Sequence, residues 1–178
     1  MNALAKETVG KYINTHFVSA FQKVASFQIA GGQKQGGNVA SYFCTPDGLV
    51  LHAIAGPVDE QTFLREARWA VETFNLAQLE AGSTAAKMRP VFQKAHMERL
   101  RSQHGWHINH VKTPASVNAH MLGMLLEQNR HRGLGNQAQV HLLLAVVPLP
   151  RLELIYQVVF EKILNEKVST NPVAVAGR

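Results

Sequence analysis

The chain has 178 residues, of which 46% are hydrophobic and 17% charged, and a formal net charge of +6. That mixture excludes a disordered or low-complexity chain, and the length is enough to bury a core without staples. A single cysteine excludes an internal disulfide framework and a cysteine-based zinc knuckle.

Residues 2–14 are predicted to form a helix, with Ala5, Val9 and Ile13 at a spacing of four. Phe17 to Val24 reads as a strand with imperfect alternation, and Ser26 to Ile29 as its continuation. Gly31 to Gly37 holds four glycines in seven residues, which predicts a loop. Val39 to Cys44 and Leu49 to Ile54 are predicted strands joined by Thr45-Pro46-Asp47-Gly48, a type I turn signature. Gly56-Pro57 ends this hairpin. Asp59 then caps a helix whose stripe is Phe63, Leu64, Ala67, Ala70, Val71 and Phe74.

From Ala81 the character changes. Ala81 to Ala86 reads as a linker, and Pro90 to Gln103 as a basic helix ending near Gly105. Thr113-Pro114 is expected to open the next helix, with Val117, Met121, Met124, Leu125 and Gln128 at helical spacing. Gly133 to Asn136 breaks it, Gln137 to Val147 is a short apolar helix, and Pro150 starts a final helix to about Glu166. Ser169 to Arg178 reads as a tail. The organisation expected is an α/β region over 1–80, a helical region over 87–168 and that tail. The longest apolar run, Leu142 to Val147, is far too short for a membrane span. The opening residues read without the apolar core of a signal peptide, and the lone cysteine suits a cytoplasmic protein.

Charge is concentrated in the second half. Residues 1–80 carry six Lys/Arg against seven Asp/Glu, and residues 81–178 carry twelve against five. Lys87, Lys94 and Arg101 are seven apart and would share one helix face, a candidate surface for an anionic partner. Aromatics are sparse beside these cations, which argues against nucleic acid. An ordinary solvated basic face explains the pattern as simply.

The segment Tyr42-Phe-Cys-Thr-Pro-Asp-Gly-Leu-Val-Leu-His52, then Gly56, then Asp59 to Ala67, resembles the C-terminal part of a thioredoxin-like domain. Thr8 to Val18 looks like the end of that family's first long helix. The resemblance covers about residues 1–77. It implies a thioredoxin-like fold that is incomplete, without its first strand and redox motif, followed by an all-helical extension. In that register the Cys-x-x-Cys pair would fall upstream of Met1, and no proline stands near Val39 where the family has its cis-proline. No redox residue can be carried over. The resemblance therefore implies a redox-inactive binding or scaffold protein. The alternatives are the C-terminal part of a thiol-disulfide oxidoreductase and a basic helical module that binds an anionic partner. A missing strand would leave an open sheet edge, to be filled by another segment, a protein partner or a second copy of the chain.

No complete catalytic motif or cofactor signature occurs. Cys44 sits mid-strand beside Phe43 and reads as a buried structural thiol. His104, His107 and His110 invite a zinc reading, because zinc accepts three imidazoles and leaves a fourth position open. Their spacing does not gather them on one tight helix face, and no acidic group lies nearby to orient the rings. The expectation is therefore no metal there, with His96 and His120 able to join a cluster only through the fold.

Overall fold

The structure, a computed structural model, describes residues 3–22, 27–30, 33–36, 38–107, 117–130 and 132–168. It is a mixed α/β architecture, mostly helical. After a 3₁₀ turn at Ala3–Ala5 come α1 (Glu7–His16), β1 (Phe27–Ala30), β2 (Gln33–Gly36), β3 (Ala40–Cys44) and β4 (Val50–Ala55). The helices α2 (Glu60–Ala81), α3 (Ala85–His104), α4 (Ala119–Arg130), α5 (Asn136–Val146) and α6 (Leu152–Val158) follow, and a π turn over Val159–Ile163 extends α6.

The β3–β4 hairpin forms where the turn chemistry placed it. Gly48 N–H donates to Thr45 O at 2.9 Å, and Gly48 takes φ +81°, a value open to glycine at little cost. Tyr42 faces Ala53 and Phe43 faces His52, with a bulge between Phe43 and Cys44. All six β4 residues are buried, so this strand is covered on both faces. Ile54 packs with Phe43, Val9 of α1 and Phe63, Ala67 and Ala70 of α2. Val50, Ala53 and Ala55 pack with α4, α5, α6 and the π turn. Leu49 and Leu51 pack with Ala77, Met88, Phe92 and Leu149. Residues of both halves of the sequence thus share two of these three clusters.

The Asp59 cap is present, its carboxylate accepting from Thr62 N–H at 2.7 Å. Helix α5 is buried almost all round, from Ala138 to Val146, as a helix at the centre of a core must be. It runs antiparallel to α3, tied by Gln93 Nε2 donating to Ala145 O at 2.9 Å. Among the described residues no helix is long and apolar enough to cross a membrane.

Several expectations are corrected. Phe17 to Gln22 is not a strand, and Val18 and Phe21 are fully exposed. Only Phe17 finds packing, 5.4 Å from Phe43, because nothing pairs with this backbone. The predicted glycine loop contains β2, paired antiparallel with β1. Its glycines bracket Gln33 to Gln35 instead of interrupting them, and Gly31, Gly32 and Gly37 lie outside the described residues. Helix α3 starts at Ala85, so Pro90 stands inside it and not at its first turn. Helix α4 starts at Ala119, with Asn118 Oδ1 accepting from Met121 N–H. Thr113-Pro114 and the 169–178 tail lie outside the described residues.

The outer edge of β4 is covered by the chain itself. Gly56 N–H bonds to Val39 O, which sets the alternation along β4 and turns the Leu51 and Ala53 carbonyls away from β3. Leu51 O meets His96 Nε2 at 3.1 Å, and Ala53 O accepts from Gln137 Nε2 at 2.9 Å. Near the turn, Val50 N–H donates to Pro150 O at 2.8 Å and Leu49 bridges Arg151. Helix side chains and one tight bend replace a third strand. That bend holds Leu149 at φ +52°, a left-handed conformation fixed by burial of its side chain between two prolines.

Pro90 leaves the Ala86 carbonyl without its helical donor. Proline in a helix interior costs about 3 kcal/mol, and its stiffness in the unfolded chain returns part of that. Pro90→Ala, at an exposed site, should therefore raise stability by about 1–2 kcal/mol in urea denaturation.

Candidate metal centre

Three histidines far apart in sequence meet in the interior. His52 comes from β4, His96 from α3 and His141 from α5, and all three side chains are essentially inaccessible. One nitrogen from each lies within 4.8 Å of the others. The ring centroids are 5.0 Å apart for His52–His141, 5.2 Å for His96–His141 and 5.8 Å for His52–His96. The Trp69 indole stands edge-on to all three.

Local sequence explains each placement. On α3, Met88, Phe92, His96 and Leu100 recur every four residues, so His96 occupies a core position of an apolar stripe. His141 sits in Val140-His-Leu142 of the fully buried helix, and His52 between Leu51 and Ala53 of the fully buried strand.

The partners fix the tautomers. His52 Nε2 lies 3.0 Å from Glu66 Oε2, and an ionised carboxylate can only accept, so Nε2 carries the proton. His96 Nε2 faces the Leu51 carbonyl and is likewise the protonated nitrogen. Nδ1 is therefore the unprotonated nitrogen of both rings, and that of His96 faces His141. His52 Nδ1 has no hydrogen-bond partner among the described residues, and neither has His141 Nε2. His96 Nδ1 lies 2.9 Å from His141 Nδ1, a distance that needs a proton or a cation between the two nitrogens.

Glu66 is the anionic neighbour of this cluster. Arg99 Nη1 donates to both its oxygens, at 2.8 and 3.1 Å, and Arg65 Nε donates to Oε1 at 3.2 Å. Burial works to raise the Glu66 pKa. The hydrogen bonds from His52 and Arg65 and the charge of Arg99 outweigh it and hold the carboxyl down at about 2. The Arg99 guanidinium also lies over the Trp69 ring, 4.5 Å from its centroid. Burial is the first cause that lowers the pKa of His52, and it lowers those of His96 and His141 well below the ordinary value, with Arg99 adding to all three shifts. The three imidazoles are neutral at neutral pH, the form that binds metal.

This arrangement matches a metal site in its chemistry. Two of the rings are oriented by an acceptor on the far nitrogen, a carboxylate for His52 and a carbonyl for His96, which is how ligating imidazoles are usually held. Zinc at 2.0–2.1 Å from each ligand sets tetrahedral nitrogens about 3.4 Å apart, so His96 Nδ1 and His141 Nδ1, 2.9 Å apart here, would have to separate slightly to take an ion, within a group that spans no more than 4.8 Å.

Of the histidines singled out by spacing, the structure brings His104 to the margin only. Its ring centroid is 6.0 Å from His141, and it is exposed at the end of α3. His107 and His120 are exposed, and His110 lies outside the described residues. His96, named as a residue the fold could recruit, is a member of the cluster. The legible signal was a histidine at a core position of each buried element, not the local triplet. Lys87, Lys94 and Arg101 are all exposed on α3, with Arg101 paired to Glu98 at 2.8 Å. Burial, then the charge of Glu153, pushes the Cys44 thiol up to about 11, so it stays protonated at neutral pH. Comparison with family models, curated proteins and solved structures finds no match to this chain.

Two outcomes follow for stability. Histidines kept neutral by burial have folded pKa values below the unfolded value of about 6.5. Their contribution is complete above about pH 6.5 and is lost as pH falls below it. Three such groups give a slope of up to about 4 kcal/mol per pH unit in the metal-free protein, read from urea midpoints between pH 5 and 7. Glu66→Ala strands the Arg99 charge in the interior and should cost about 3–5 kcal/mol at pH 7 in the same assay.

Proposed function

We propose that the chain is a transition-metal-binding protein whose ion is held by His52, His96 and His141. The observation that carries this reading is the convergence of three fully buried imidazoles with two unpartnered nitrogens among them. An all-nitrogen set suits zinc, cobalt, nickel or copper. It does not suit magnesium or calcium, which take oxygen ligands. The ion would join β4, α3 and α5, three elements that otherwise meet through packing and side-chain hydrogen bonds. With these three ligands buried, its role is to hold the fold, and the exposed surfaces are left for partners.

A second reading keeps the thioredoxin-like resemblance of the first half. It is supported by the order hairpin, Gly56 at φ +101° and Asp59-capped helix. On that reading the chain is a redox-inactive binding or scaffold protein, and His52 is a ligand mounted on the hairpin of this platform. Disulfide reductase turnover above that of a Cys44→Ser control would remove it.

The metal reading is tested on the full chain stripped with chelator and titrated with Zn²⁺. One equivalent should bind, and an excess of 100 times the dissociation constant should stabilise the fold by about 2.7 kcal/mol. His96→Gln should abolish binding. Failure of the wild-type chain to bind Zn²⁺, Co²⁺, Ni²⁺ or Cu²⁺ at micromolar concentration would sink the proposal.

A further inference from the structure

Resting on the metal reading, we infer that His104 is the fourth ligand, closing the site from the solvent side.

Three imidazoles leave a tetrahedral ion one ligand short. The polar groups next to the cluster are nearly all committed. Glu66 is shared among His52, Arg99 and Arg65, and Gln137 donates to the Ala53 carbonyl. Trp69 offers only an indole N–H, which cannot ligate. His104 is different. It lies two turns beyond His96 on α3, and its ring is tilted 42° to that of His141. It is exposed but stands outside the group that the other three form, so ligation requires it to change rotamer toward them.

The backbone holds this residue in place. Gly105 adopts φ +67° and returns its N–H to Arg101 O, and Trp106 N–H bonds to Leu100 O. The helix therefore ends directly after His104, with the rest of its last turn fixed. The unpaired carbonyls of that end carry the negative pole of the helix dipole, which favours a cation nearby. The resulting site is asymmetric. Three ligands are locked in the core, and the fourth can swing between the ion and water without disturbing the fold.

The test uses Co²⁺, whose visible absorption reports its ligand set, with the full wild-type chain, His104→Ala and His107→Ala. His107 is also exposed, three residues further on, and serves as the control. His104→Ala should keep its circular dichroism and still bind Co²⁺. Its visible spectrum should shift, its affinity should fall about tenfold or more, and EDTA should strip it faster. His107→Ala should superimpose on wild type. A His104→Ala chain with wild-type spectrum, affinity and stripping rate would overturn the fourth-ligand assignment while leaving the three-histidine site standing. A wild-type chain that binds no Co²⁺ would overturn both.

Discussion

An ionised carboxylate buried in a protein must be compensated, and the compensation of Glu66 organises the interior of this one. Removing a charge from water costs several kcal/mol unless partners replace the lost hydration. Arg99 supplies the charge and two hydrogen bonds, and His52 supplies another. Those bonds set secondary consequences. Arg99 is held over Trp69, which fixes the indole against all three imidazoles. His52 spends its Nε2 proton on the carboxylate, which leaves its Nδ1 unprotonated and without a partner among the described residues. The cluster is in this sense downstream of an ion pair between α2 and α3.

The legible parts of the fold were those written in local chemistry. Thr45-Pro-Asp-Gly names its turn, Asp59 names its cap and Gly105 its helix end, because each acts on backbone groups a few residues away. The helical stripe of α2 could be read from periodicity for the same reason. What failed was long-range or context-bound. Phe17 to Gln22 alternates like a strand but has nothing to pair with. Gln33 to Gly36 looks like a loop until Phe27 to Ala30 is set beside it. The three buried histidines are separated by 44 and 45 positions, so no spacing rule could gather them. The local triplet His104, His107 and His110 drew attention that belonged to isolated histidines in apolar runs. His96 could have been found, since a polar group on the stripe Met88, Phe92, Leu100 needs a partner inside the core.

A metal at this position would unify features that packing alone leaves separate. The interior holds three neutral imidazoles, and two of their nitrogens have no partner among the described residues, a cost that folding must cover elsewhere. Coordination would convert that cost into bonds between a strand and two helices. The basic exposed face of α3 and the protonated Cys44 take no part in this, and both fit ordinary surface and core roles.

The way β4 is finished has a consequence for how the chain folds. Its outer edge is completed by His96 and Gln137, side chains 45 and 84 residues downstream of the carbonyls they meet. A hairpin can zip in microseconds, but this one presents bare carbonyls until two distant helices dock. Loop closure over such separations must come before the bonds that reward it. During synthesis, the strand is made well before either helix that covers it. For that interval Val50 to Ala55 is an apolar strand with an unprotected edge, the kind of segment that pairs with a neighbouring chain before its own helices arrive.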